Sequence, residues 1–224
     1  MKKFSVLLII GLGMAIVVNA QIGEYCITDG ENLGFRVVKT TPTAYLKEHS
    51  DVLAAINGPY YDTFGNTEGS IIVNDQSGKK ILVCCSGEVR GYLYISNNYV
   101  IAGTAMPNTL DEAHLVVIGT HPLLVVNGKV HSQATEAKYN LKEDGKQKVA
   151  FRSALGTKDG EHLCMAISVS KLTIKQWANL LCLCGYNQAI NLDGGPVSDL
   201  AVKGKASLKS SKPADTRMII YVGK

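Results

Sequence analysis

The stretch "AINLDGGPVSDL", residues Ala189 to Leu200, sets one carboxylate, Asp193, at the end of an apolar run and follows it with two glycines and a proline. Consecutive glycines remove two Cβ atoms, so a ligand can approach the main chain and its N–H groups beside the charge. Asp-Gly is also a common turn dipeptide, and the stretch by itself admits both readings. "KVAFRSALG" carries an arginine inside an otherwise apolar strand pattern. A buried arginine is costly unless paired, so Arg152 must meet a carboxylate or reach a cleft where an anion neutralises it; its planar fork suits phosphate. "LAAINGPYYDTFGNTEGS" breaks an apolar run at Asn57 and Gly58 and then brings Tyr60, Tyr61, Asp62 and Glu68 into one loop. "VVIGTHPLLVVNGKV" places His121 before Pro122 between two strands. The last two also have plain structural readings, a hairpin loop with packed tyrosines and a surface histidine.

These groups need a scaffold, and short β-type runs broken by Gly, Asn and Asp supply most of it, from "FRVVKT" through "SIIVND", "GYLYIS" and "HLVVIGT" to "RMIIYVG". Asn127-Gly128 marks a tight hairpin, because both residues tolerate positive φ. Two segments read as helices. "TPTAYLKEHS" opens with Thr41 as N-cap and Pro42 at the first helical position. "LTIKQWANLLCLCG" lays Ile174, Trp177, Ala178, Leu181 and Cys182 along one stripe between a Thr173 cap and the terminator Gly185. That helix falls between "EHLCMAISVS" and the almost wholly apolar "NQAINLD", the pattern of a strand-helix-strand crossover whose last strand is buried on both faces. In such units ligands gather at the carboxyl ends of the strands, where Asp193 stands. The expected fold is α+β: a single domain with a mixed, largely antiparallel twisted sheet, a few flanking helices and one crossover near the C-terminus.

In order, "INGPYYD", "EGSIIVND", "HPLLVVNGKV", "FRSALG" and "LTIKQWANLLCLCGYNQAINLDGGPVSDL" resemble the phosphodiester glycosidase family, over roughly Val52 to Val222. The resemblance implies hydrolysis of a sugar-1-phosphodiester, with an N-acetylglucosamine-like sugar, to free sugar and a phosphomonoester. It implies Arg152 on the phosphate oxygens and Asp193 stabilising the oxocarbenium-like sugar or activating water, with Asp62 or Glu68 as partner carboxylate. It further implies substrate-binding roles for Asn57, Gly58, Tyr60, Tyr61, His121, Asn191, Gly194, Gly195 and Ser198. Pro59 and Pro196 depart from the family's pattern, where small residues are usual. No cofactor is required; a divalent cation bridging Asp193 and phosphate is compatible with the spacing, which does not demand one. The alternative is a non-catalytic module binding phosphorylated cell-surface glycans. A third reading, a structural envelope protein, expects Arg152 and Asp193 to pair with each other in a closed interior.

The totals set bounds. The chain has 224 residues, 46% hydrophobic and 19% charged, which suits one domain. "MKKFSVLLIIGLGMAIVVNA" has two lysines, an apolar stretch and small residues at Val18 and Ala20, the pattern of a secretory signal peptide over residues 1–20. Its apolar stretch is shorter than the roughly 20 residues that span a bilayer. The expectation is therefore a mature domain over 21–224, exported to a periplasm or beyond, with no membrane span after cleavage. Cleavage leaves 21 basic and 19 acidic residues, a formal charge of +2. The lysine-rich pieces "GKK", "KEDGKQK" and "KGKASLKSSK" are scattered between turn residues and read as solvated loops rather than a nucleic-acid face. Six cysteines, Cys26, Cys84, Cys85, Cys164, Cys182 and Cys184, permit disulfides in an exported protein without showing which pair. None of their spacings is that of zinc ligands.

Overall fold

The alternating runs close into three antiparallel sheets. A computed structural model describes residues 6–10, 14–18, 22–28, 31–60, 70–74, 80–83, 90–96, 99–104, 116–210 and 214–223. In chain order the strands are β1 (Val6–Ile10), β2 (Met14–Val18), β3 (Ile22–Cys26), β4 (Asn32–Thr40), β5 (Val52–Asn57), β6 (Ser70–Asn74), β7 (Lys80–Val83), β8 (Gly91–Ile95) and β9 (Val100–Gly103). They continue as β10 (Val116–Thr120), β11 (Leu123–Val126), β12 (Lys129–Val130), β13 (Ser153–Thr157), β14 (Cys164–Ser168), β15 (Gln188–Asn191), β16 (Asp199–Val202), β17 (Leu208–Lys209) and β18 (Thr216–Gly223). The helices are α1 (Pro42–Glu48), α2 (Ala137–Asn140) and α3 (Ile174–Leu183). Strand orders are β7-β6-β10-β8-β9, β12-β11-β15-β13-β14-β3 and β17-β16-β5-β18-β4. The pair β1-β2, inside the segment read as a leader, forms a separate hairpin.

The expected crossover is present in a modified form. β14 leads through α3 to β15, but β13 lies between them and pairs antiparallel with both. β14 and β15 therefore run the same way while every adjacent pair stays antiparallel. The helix forms where the sequence directs it: Thr173 and Gln176 make a reciprocal capping box, and Gly185 takes φ 85° beyond the end. α1 is capped by Thr41, whose hydroxyl accepts from Ala44 N at 3.1 Å. The β11–β12 hairpin turns on Asn127 and Gly128, at φ 50° and 70°.

Alternation divides the six-stranded sheet into two faces. Leu123, Leu155, Met165 and Ile190 turn into a core shared with Leu93 and Ile118 of one sheet and Ile56 and Ile220 of the other. On the opposite face the small residues Ala154, Ala166 and Ala189 make room for Ile174, Trp177, Ala178 and Leu181 of α3. Trp177 is fully buried there. Cys182, placed on the same stripe by periodicity, is only partly covered.

β3, which sequence patterning did not predict, edges the sheet and is fastened by a Cys26–Cys164 disulfide between directly opposed residues of β3 and β14. Cys182 and Cys184 are free, while Cys84 and Cys85 lie outside the described residues. The bridge closes a loop spanning 138 positions. Replacing both partners with alanine is expected to cost about 3 kcal/mol, through the lost constraint on the unfolded chain. Denaturant unfolding checks this, and a midpoint unchanged by the double substitution contradicts it.

Candidate active site

β15 ends at Asn191, and the chain leaving it is held by its own amides. Leu192 N donates to Ser153 O at 2.9 Å, Asp193 N to Gly58 O at 3.2 Å, and Gly195 N to Phe151 O at 2.8 Å. Asn57 completes the attachment by giving Nδ2 to Asp193 O at 2.8 Å. The Asp193 side chain accepts from Gly194 N at 2.7 Å. The two glycines serve different ends. A Cβ on Gly194 would stand 2.8 Å from Phe151 O and 3.7 Å from Arg152 Nη1, whereas Gly195 has open space around it but adopts φ 67°. Pro196, a departure from the family's pattern, occupies the first turn of a short 3-10 helix over Gly195–Val197, where no N–H is needed.

Arg152 lies one residue before β13 rather than inside a strand, and is 4% exposed. Among the described residues it pairs with no carboxylate. Nε donates to Leu172 O at 2.9 Å and Nη2 to Lys148 O at 2.8 Å, so two main-chain carbonyls orient the fork. The closed Arg152–Asp193 pair expected of a purely structural motif is thus replaced by carbonyl anchoring. Burial pulls the guanidinium pKa down, and Tyr60, were it ionised, and the Asp193 carboxylate oppose that pull.

The Tyr60 hydroxyl reaches the buried Asn191. Its oxygen accepts from Asn191 Nδ2 at 2.7 Å, and its ring stacks on His121 with centroids 4.8 Å apart. Burial first, and the Asp193 charge second, push the phenol pKa well up, so it keeps its proton at neutral pH. His121 in turn faces Tyr139 of α2 at 5.9 Å. Asn191 is fully buried, and its Oδ1 has no hydrogen-bond partner among the described residues; Ser198 Oγ is in the same condition.

The structure thus brings Asn57, Gly58, Tyr60, His121, Arg152, Asn191, Asp193, Gly194 and Gly195 to one end of the sheets. Asn57 and Gly58, expected to meet substrate, are spent on the scaffold instead. Asn57 is 0% exposed, and its Oδ1 accepts from Ser153 Oγ and Asp199 N. A Cβ on Gly58 would stand 2.7 Å from Met218 Cβ. Tyr61, Asp62 and Glu68 lie outside the described residues.

Sequence reasoning missed Ser153, Tyr139 and Asp199. Ser153 was hidden beside Arg152, and Tyr139 lay upstream of a lysine-rich loop read only as solvated. Asp199 accepts from Thr43 N and Thr43 Oγ1, both at 2.9 Å, and so joins α1 to the Asn57 anchor. Burial holds its carboxyl above the ordinary value of 3.8, against the Thr43 bonds and Lys209. A carboxyl raised in the folded state binds its proton more tightly there. Its contribution to stability is therefore fullest below the unfolded value and is lost as pH rises through the folded one. Asp199→Asn can keep both Thr43 contacts, and its stability relative to the unaltered protein is expected to improve from pH 3.5 to 7. Asp199→Ala should cost about 1–3 kcal/mol at neutral pH by stranding Thr43 N. Urea unfolding of the three proteins across that range decides it; a pH-independent difference for the Asn variant contradicts the assignment.

An anchored guanidinium, a carboxylate and a protonated phenol beside a glycine loop can hold an anion next to a centre that develops positive charge. The family model for phosphodiester glycosidases matches residues 50–221, a span that contains every one of these groups. The chain belongs to the phosphodiester glycosidase family. Its fold is shared with the catalytic domain of zebrafish N-acetylglucosamine-1-phosphodiester alpha-N-acetylglucosaminidase, a structure auto-inhibited by its pro-peptide. That likeness has a TM-score of 0.63 at 16% identity, covering 92% of this chain and 83% of that one. A hypothetical protein from Synechocystis is similar at TM-score 0.56 and 15% identity over 90% of this chain, which spans 58% of that protein. No curated protein matches the chain. Among the described residues no three His, Cys, Asp or Glu side chains gather as a metal site, and no helix is long and apolar enough to cross a membrane.

Proposed function

We propose that this member of the phosphodiester glycosidase family is an exported hydrolase that splits a sugar-1-phosphodiester, with an N-acetylglucosamine-like sugar, into free sugar and a phosphomonoester. The observation that carries the reading is the meeting of Arg152, Asp193 and Tyr60 beside Gly194. Export is supported by the leader-like residues 1–20 and by the Cys26–Cys164 bridge, since disulfides persist in oxidising compartments.

In the proposed reaction the bond from the anomeric carbon to the bridging oxygen breaks, and its electron pair leaves on the phosphate. Negative charge grows on the phosphate oxygens, where the Arg152 guanidinium stabilises it. Positive charge grows on the sugar ring, facing the Asp193 carboxylate. Water adds to the anomeric carbon and gives its proton to Asp193, or to Asp62 or Glu68 acting as the partner carboxylate. Asn191 donates to the Tyr60 oxygen, leaving the phenol proton to be given to an anionic neighbour. Phosphate leaves as a stable anion, so the site needs neither a strong general acid nor a cofactor; a divalent ion at Asp193 is a compatible addition.

The decisive experiment runs the purified protein on a panel of glycosyl phosphodiesters in 18O-labelled water. The label is expected in the hydroxyl of the released sugar and not in the phosphomonoester. Label in the phosphate would make the protein a phosphodiesterase. Binding without turnover across the panel would make it the glycan-binding module.

A further inference from the structure

The Asn191 amide has two unlike ends, and its surroundings decide which of them faces Tyr60. Nδ2 lies 2.7 Å from Leu192 O and 2.7 Å from the Tyr60 oxygen. A carbonyl oxygen only accepts, so the end that meets Leu192 O is the NH2 group; turning the amide over would set two oxygens against each other at a fully buried residue. The phenol oxygen therefore spends a lone pair on Asn191, and its proton must point elsewhere. Among the described residues nothing accepts that proton. The Asp193 carboxylate, which acts on the phenol through its charge, accepts from Gly194 N instead.

Arg152 is left in a matching condition. Nε and Nη2 are committed to Leu172 O and Lys148 O, while Nη1, which lies 3.7 Å from where a Gly194 Cβ would stand, makes no hydrogen bond among the described residues. Guanidinium and phenol are close enough for each to act on the other's protonation. Two donors, one cationic and one neutral, thus share a space in which nothing accepts from them. Their complement is an anionic oxygen, because charge-assisted bonds are the strong ones and a desolvated donor left unpaired is costly. The stack on His121 holds the Tyr60 ring in its plane.

We infer that Tyr60 is a catalytic residue whose hydroxyl donates to a non-bridging oxygen of the scissile phosphate beside Arg152 Nη1, and that Asn191 is the positioning residue that makes it a donor. The inference rests on the hydrolase reading and adds to it the acceptor of the phenol proton. That proton stays on the phenol throughout. The bond strengthens as negative charge grows on the phosphate, so it favours the transition state over the bound substrate.

Tyr60→Phe keeps the ring, and Asn191 Nδ2 keeps Leu192 O, so the thermal midpoint should barely move. The kcat/KM on a sugar-1-phosphodiester is expected to fall about a hundredfold, the scale of losing one donor to a developing anion. Calorimetric binding of methyl phosphate should weaken about tenfold, as for a hydrogen bond to a charged group, and binding of N-acetylglucosamine should not change. Weaker sugar binding with phosphate binding intact would move Tyr60 to the sugar and overturn the assignment, as would no binding of methyl phosphate by the unaltered protein. Asn191→Asp, close in shape, replaces the donor by an acceptor that claims the phenol proton. It should cost about a hundredfold in kcat/KM beside Tyr60 and less than about tenfold in the Tyr60→Phe background, the non-additivity of two residues acting as one. Equal costs in both backgrounds overturn the positioning role. If methyl phosphate binds through Tyr60 but no glycosyl phosphodiester is turned over, the hydrolase reading falls and the phosphate contact stands.

Discussion

Asp193→Asn is expected to lower kcat/KM on a sugar-1-phosphodiester by about a thousandfold or more, the scale of losing a charged group aimed at a developing opposite charge. The fold should not notice. Main-chain bonds to Gly58 O and from Asn57 Nδ2 hold residue 193, and an asparagine oxygen can still accept from Gly194 N. The thermal midpoint of the variant should therefore match that of the unaltered protein, and circular dichroism beside steady-state kinetics measures both. A variant that keeps a tenth of the activity would remove Asp193 from the chemistry and leave it as a turn residue.

Arg152→Ala should damage activity and stability together. On the proposed reading it removes the charge that faces phosphate, worth about two to three orders of magnitude in kcat/KM for a transition-state contact of this kind. It also removes the bonds from Nε to Leu172 O, which still accepts from Ala150 N, and from Nη2 to Lys148 O. Unfolding free energy should fall by about 1–3 kcal/mol, the scale of losing hydrogen bonds made by a charged group. Arg152→Lys separates the effects. An ammonium restores the charge but cannot reproduce the fork that reaches both carbonyls, so the lysine variant should recover part of the stability and remain about a hundredfold slow. If the lysine enzyme is fully active, the fork has no catalytic part and the guanidinium is an anchor alone.

Much of this frame was legible in the sequence because its signals are local. A threonine before a proline fixes the start of α1, a capping box and a glycine bound α3, and Asn-Gly sets the β11–β12 turn. The family motifs likewise marked the segments that converge. What the sequence could not display is how each polar group is spent. Asn57 and Asp193 belong to motifs of equal apparent promise, yet one lies wholly inside with every amide atom bonded and the other is only half covered. That division depends on which sheet packs against which, a non-local outcome. Tyr139 and Asp199 were missed for the same reason, since their partners lie at His121 and at Thr43, far away in the chain. β3 was invisible because a short edge strand of Ile, Gly, Glu, Tyr and Cys has no clear alternation.

The amides of Leu192, Asp193 and Gly195 end on Ser153 of β13, on Gly58 just after β5 and on Phe151 just before β13, so they join strands of two different sheets across as many as 135 positions. Contacts of such sequence separation close late, after local hairpins and helices have formed. The loop is therefore a product of the final docking of the sheets, and no fragment or partly assembled chain holds a competent centre. The amide proton of Asp193 should exchange with solvent only through global opening, which makes its protection a direct gauge of how much of the population is ready to act.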